Sequence, residues 1–228
     1  MGISVVSYQF NGCNNTSGNN NKTILVAPQN TTGANFLALV ICGHNNAVTI
    51  TDTYSNVYTL AGSHYNSVGD SCYIMYNSNP TVGINHNVSI SAGSNLIEGC
   101  AGLLACSGVA SSPMDQYNGN NGGTDVAFTN TGNITPSQNG SLIISAAGFY
   151  SQGYNNSSAV FTTNEKNVAY VSNQMLAAAM SYYIQPTATA LNCNWGANSA
   201  VVDFTSVIVD FKPYVLMSST DTNFYGQP

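Results

Sequence analysis

The sequence predicts an all-β protein: an antiparallel β-sandwich of jelly-roll type with an extended C-terminal tail. Three observations carry that expectation. Short alternating or continuous apolar runs recur along the chain, separated by clusters of Asn, Gly, Ser and Pro, which is the pattern of strands joined by turns. Charged residues make up 5% of the 228 residues, against about 25% in an ordinary soluble domain. Polarity comes instead from Asn, Ser, Thr and Gly together with 14 Tyr, so the surface is wetted by neutral hydrogen-bonding groups. Finally, no run approaches the roughly 18 consecutive apolar residues that a membrane-spanning helix needs.

The elements follow in order. ISVVSYQF is the first strand, and an Asn-rich loop, NGCNNTSGNNN, leads from it to KTILVAPQ. NFLALVICGHN is continuously apolar, which suits a strand buried on both faces. AVTITD and NVYTLAGSHY flank the corner TDTYSNVYTLAG, and DSCYIMYN, HNVSISAG and GCAGLLACSGV follow as strands. The stretch from Ser111 to Asn133, SSPMDQYNGNNGGTDVAFTNTGN, reads as a long loop. SLIISAAGFYS, VAYVSNQMLAAAMSYYIQ and AVVDFTSVIVDFKP complete the set. QMLAAAMSYY holds good helix formers, yet Tyr170, Tyr182, Tyr183 and Ile184 flank it at strand density and Pro186 ends it. A strand is predicted there. One domain, residues 1–213, accounts for all of this. Residues 214–228 form an extension in which Tyr214, Leu216, Met217, Phe224 and Tyr225 are more anchors than a free tail keeps. It would lie along its own subunit or cross to a neighbour.

Charge and cysteine content narrow the function classes. With no Arg, three Lys and a formal net charge of −6, the chain cannot assemble the cationic patch that phosphate backbones or anionic membranes require. Cys13, Cys42, Cys72, Cys100, Cys106 and Cys193 permit disulfides without requiring them. Cys42, Cys100 and Cys106 lie in apolar runs, where a thiol packs as a small hydrophobe, so buried thiols are favoured over bridges. The N-terminal MGISVVSYQFNG has neither a basic segment nor a continuous apolar one, so it does not read as a signal peptide. Either a signal has been removed or the protein leaves its host by another route, such as a virus particle released by lysis.

Each candidate for chemistry has a plainer reading beside it. A glycosidase pair would need two of the nine acidic residues to converge, but Asp203 and Asp210 fall on opposite faces of an unbroken strand. A nucleophilic site would draw on His44, His64 or His86, and no G-x-S-x-G elbow is present. His44 and Cys42, two apart on a strand, could share a zinc ion with other ligands, although a strand-end His beside a core thiol is commoner. Calcium has its best candidates in Asp115, Asn118 and Asp125, a loop rich in hard oxygen ligands. The same residues also make an ordinary flexible loop, so the expectation is no cofactor, with calcium as the alternative. Glycan recognition would use Trp195, Tyr117 and Tyr154 as aromatic platforms. For Trp195, core packing is the plainer reading. Asp52 and Asn56 bracket a short hairpin turn, with Asn56 suited to a left-handed conformation and Asp52 to accepting backbone N–H bonds.

Several of these pieces occur in a familiar order. The corner TDTYSNVYTL, the strand CYIMYNSNPTVG, the strand HNVSISAG, then LLACSGVASSPMD with a Gly-rich loop, and a closing AVVDFTSVIVDFKP after NCNWG together resemble a concanavalin-like jelly-roll module. Such modules occur in bacterial extracellular proteins and in tailed-phage structural proteins. The resemblance spans about Ala47 to Pro213 and departs from the family pattern at Ser55, where Gly is commoner, and at Cys106, where an aromatic is usual. It implies a fold and a surface role, and no catalytic site. The resulting expectation is a non-enzymatic virion structural protein on the particle surface: a phage capsid decoration (cement) or fibre-like protein. It would be a homo-oligomer, a trimer being favoured, with Tyr214, Leu216, Met217, Phe224 and Tyr225 as candidate inter-subunit contacts, and it would associate with capsid or other virion proteins. The alternative is a secreted carbohydrate-binding module or adhesin.

Overall fold

The computed structural model describes residues 2–14, 23–44, 48–65, 70–92, 98–150, 154–156, 161–171 and 174–215. In chain order the strands are β1 (Ser4–Asn14), β2 (Thr23–Gln29), β3 (Phe36–His44), β4 (Val48–Asp52) and β5 (Thr59–Tyr65). Next come β6 (Asp70–Asn77), β7 (His86–Ala92), β8 (Glu98–Ser107), β9 (Val109–Asn130) and β10 (Ser141–Tyr150). The last are β11 (Tyr154–Asn156), β12 (Thr162–Val171), β13 (Gln174–Gln185) and β14 (Asn194–Pro213). All pairings are antiparallel. No helix among the described residues is long and apolar enough to cross a membrane.

Three sheets form. The middle one has the order β1-β8-β3-β6-β5, the small one β2-β7-β4, and the large one β11-β14-β10-β13-β12 with β9 added on β14. The middle sheet is covered on both faces, which is why its central strands are apolar without alternation. On β3, Phe36, Ala38, Val40 and Cys42 face the large sheet, packing with Leu142, Ile144, Met180, Val209 and Phe211. Leu37, Leu39 and Ile41 face the other way, onto Ile24, Val26, Val88 and Ile90 of the small sheet. Phe36 through Val40 are wholly excluded from solvent, and each large side chain so buried contributes about 2–3 kcal/mol. The small sheet is covered on one face, so its strands alternate: Ile24 and Val26 are buried while Leu25 is 56% exposed. A third core lies on the outer face of the large sheet, where Trp195, Ile134, Phe161 and Cys193 cover Ile143, Phe149 and Ile208.

The antiparallel sandwich predicted from the sequence is what the chain forms, and QMLAAAMSYY is a strand within β13. Two expectations fail. The stretch read as one run from Val168 to Gln185 is two antiparallel strands, β12 and β13. The predicted loop from Ser111 to Asn133 is largely the 22-residue strand β9. Its Asn and Gly residues have poor strand propensity, but β14 offers a backbone ladder along most of its length, from Pro213↔Val109 to Asn194↔Asn130 with bulges. Ladder bonds belong to the backbone, so tertiary pairing overrides composition here.

Candidate functional site

Two polar clusters interrupt the apolar layers. The first is built on Asp52, at the end of β4, where the chain leaves the small sheet for the middle one. Asp52 Oδ1 accepts the Tyr54 backbone N–H at 2.7 Å and the Asn56 amide at 3.1 Å. Its Oδ2 accepts the Tyr58 hydroxyl at 2.7 Å and lies 2.8 Å from His86 Nε2. His86 Nδ1 in turn lies 2.9 Å from Thr31 Oγ1. Asp52 is 7% exposed, and His86 and Thr31 are wholly buried. Burial alone would raise the Asp52 carboxyl, but the hydrogen bonds from His86, Tyr58 and the Tyr54 N–H, with the charge of His86, outweigh it and hold the carboxyl below its usual range. Burial, and then the bond to Asp52, pushes the Tyr58 hydroxyl well up.

The order Thr31–His86–Asp52 copies that of a hydroxyl nucleophile, its base and the orienting carboxylate. The surroundings make it a clamp. Thr31 Oγ1 receives the Gly83 N–H at 3.1 Å and reaches the Gly83 carbonyl at 3.2 Å, while the Thr31 N–H donates to that same carbonyl at 3.0 Å. Tyr54 lies edge-on to the imidazole, with centroids 5.0 Å apart, and donates its hydroxyl to the Ile84 carbonyl at 2.6 Å. With a neutral imidazole, Thr31 donates to Nδ1. With an imidazolium, Nδ1–H donates to Thr31, whose proton turns to Gly83. Every group keeps a partner in either state, and the hydroxyl has no open side for a substrate.

This corner differs from the predicted hairpin. β4 pairs with β7 and β5 with β6, so TDTYSNVYTLAG joins two sheets instead of two neighbouring strands. Asp52 accepts backbone N–H as expected. The left-handed residue is Ser55, at φ 60°, and not Asn56. Asn56 instead acts as a bracket: it donates to the Thr81 carbonyl at 2.9 Å and accepts the Thr81 N–H at 2.8 Å. His86, Tyr58 and Thr31 carried no sequence signal that tied them to Asp52, because 34, 6 and 21 positions separate them from it.

The second cluster lies at a bulge between β9 and β14, where Val209 faces Tyr117 and Phe211 faces Met114. Asp115 and Gln116 therefore stand opposite the single residue Asp210. Asp210 is wholly buried and neither of its carboxyl oxygens has a hydrogen-bond partner. The neighbouring Ser141 hydroxyl donates to the Gln138 carbonyl at 3.0 Å, and the other close polar group is the Asp115 carboxyl. Two carboxylates cannot bond to each other unless one holds a proton. Burial first, and then Asp115, push Asp210 up to about 7, with Ser141 and Lys212 opposing. Burial also works against the charge on Asp115, but the Ser137 N–H at 2.7 Å, the Ser137 hydroxyl, Asp210 and Lys212 hold it below its usual range. Asp203 and Asp210 do fall on opposite faces, since β14 keeps unbroken register with β10 between them.

Two of the predicted calcium ligands are engaged elsewhere. Asp115 serves the Ser137 N–H, and Asn118 spends its oxygen on the Gly119 N–H and its amide on the Asn133 carbonyl. The side chain of Asp125 lies outside the described residues. Among the described residues no three His, Cys, Asp or Glu side chains come together in a way that could hold a metal ion. Trp195 is not a glycan platform, because it is wholly buried and donates its indole N–H to Ser145 Oγ at 3.0 Å. Tyr117 is 59% exposed; it stands near Gly62, with His64 bonded to Asn121 at 3.0 Å further along the same pair of strands. The Tyr154 side chain is outside the described residues. So are Leu216, Met217, Phe224 and Tyr225, whereas Tyr214 is half exposed and its N–H is tied to the Gly108 carbonyl at 2.8 Å.

Comparison with family models, with curated proteins and with solved structures found no match.

Proposed function

We propose that this chain is a non-enzymatic structural protein of a particle surface, in the manner of a phage capsid decoration or fibre-like module. One observation carries the reading: the residues that most resemble a catalytic set, Thr31, His86 and Asp52, are buried and fully spent on holding two sheets together. The jelly-roll resemblance of the sequence and its near absence of cations support the same conclusion. Exposed Tyr214 and Val215 open the C-terminal extension and suit contacts made by apolar anchors and backbone hydrogen bonds. Such contacts do not depend on ion pairing, so attachment should survive moderate salt. The direct test is to image the native particle by electron microscopy with a tag on the chain, and to wash it with salt. Symmetric surface copies that remain bound are expected. A free secreted monomer, or full release by moderate salt, would sink the proposal.

A second reading, a carbohydrate-binding module, rests on the exposed Tyr117 beside amide and imidazole donors. Glycan-array binding that disappears in Tyr117→Ala, with the fold intact, would favour it.

A further inference from the structure

Four cysteines stand in one row across the middle sheet. Cys13 faces Cys100 between β1 and β8, Cys100 faces Cys42 between β8 and β3, and Cys42 faces Cys72 between β3 and β6. The facing pairs lie 87, 58 and 30 positions apart in the chain, so only strand pairing aligns them. Cys100 is disulfide-bonded. Cys42 and Cys72 are thiols, buried, with Sγ atoms 2.8 Å apart, well inside ordinary van der Waals contact for two sulfurs. Directly opposed residues of antiparallel strands have Cα atoms about 4.5–5.5 Å apart, within the range a disulfide spans. Across the core, Gly148 leaves room: a Cβ built there would sit 3.6 Å from both Cys42 Cβ and Cys72 Sγ.

We propose that Cys42 and Cys72 are a pre-aligned dithiol that closes a cross-strand disulfide between β3 and β6 when the protein meets an oxidising environment. In the step two S–H bonds break and one S–S bond forms. Two protons and two electrons pass to the disulfide of a small-molecule oxidant, which leaves as two thiols. Cys106 and Cys193 are equally buried but do not take part. Cys106 faces Phe36 and Val5 across its strands and Cys193 contacts the Ser181 hydroxyl at 3.7 Å, so neither has a thiol in register. The pair is two residues from the ends of its strands at His44 and Asp70, so local fraying there admits the oxidant without global unfolding. The new bond would close a loop across residues 42–72 and restrict the unfolded chain. The proposal stands whether or not the chain decorates a particle.

The experiment uses the full chain, equilibrated with oxidised glutathione or with dithiothreitol, then unfolded, alkylated and mapped by mass spectrometry after chymotryptic digestion. Oxidation is expected to remove two of the four thiols, to yield a peptide linked through Cys42 and Cys72, and to raise the melting temperature by about 5–10 °C. Cys106→Ala should give the same linked peptide, and Cys72→Ser should not. Full alkylation of Cys42 and Cys72 after oxidation would overturn the proposal, as would a linkage of either residue to Cys106 or Cys193.

Discussion

The Asp52 corner and the Asp210 bulge pose one problem, a carboxyl group taken out of water, and solve it in opposite ways. At the corner four donors converge on Asp52: the Tyr54 N–H, the Asn56 amide, the Tyr58 hydroxyl and His86 Nε2. The charge is stabilised and the proton excluded. At the bulge neither Asp210 oxygen has a partner at hydrogen-bond distance, and a second carboxyl stands beside it with only Ser141 and Lys212 favouring its charge. There the proton is retained. Burial pushes both carboxyls toward the neutral form; what separates them is that the donors around Asp52 outweigh it, whereas at Asp210 it prevails. Asp52 is a fixed charge within a polar clamp, while Asp210 is a neutral acid that neutral pH begins to ionise.

That contrast can be broken at several points. The largest effect should come from Asp52→Ala, which leaves the Tyr58 hydroxyl, His86 and the Tyr54 N–H buried without their acceptor. A loss of about 3–5 kcal/mol in urea-unfolding free energy is expected. A loss below about 1 kcal/mol would mean that water replaces the carboxylate and the corner is not a clamp.

Asn56→Ala removes the bracket to Thr81 and one donor to Asp52, and should cost about 2 kcal/mol. An equal cost in a Thr81 backbone-unaffected background such as Asn56→Asp would show that the amide donors matter more than the acceptor.

The bulge predicts the opposite sign. The folded pKa of Asp210 is raised to about 7, well above the ordinary carboxylate value of 3.8. Its contribution is fully present below the unfolded value and is lost as pH rises from there to about 7. Asp52 and Asp115 have lowered values, so their contributions are present above the usual carboxylate range and fade as pH falls through it. Asp210→Asn supplies an amide donor toward Asp115 and removes the ionisation. It should be close to neutral at pH 4 and stabilising by up to a few kcal/mol at pH 8, read from denaturation curves at both values. A destabilisation that is the same at both would show that Asp210 is charged throughout.

The smallest effect is at Ser55, held at φ 60°. Ser55→Val should cost about 1 kcal/mol from backbone strain, and Ser55→Gly should not. A larger cost at Asn56→Val than at Ser55→Val would be due to lost hydrogen bonds and not to conformation.

Much of the architecture was legible in the residues. NFLALVICGHN announced a strand covered on both faces, and KTILVAPQ and HNVSISAG announced strands, because side-chain direction alternates with period two. What failed was composition read locally. DQYNGNNGGTD looks like a loop, and it would be one without β14 beside it. Asp52 and Asn56 were visible as corner residues because Asx chemistry acts within a few positions. The roles of His86, Thr31 and Asp210 were not visible, since they depend on which distant strand each residue meets.

The sequence by itself determined the class of fold, the neutral surface and the positions of most strands, all of which follow from patterns repeated every two residues and from overall composition. Tertiary structure alone decided the rest. It turned a predicted hairpin into a passage between sheets, buried Trp195, set Asp115 against Asp210, and brought four widely spaced cysteines into one row. The physical reason is range. Alternation and turn chemistry act over a few residues, whereas a buried group's protonation, partner and oxidation state depend on neighbours that strand register brings from tens of positions away.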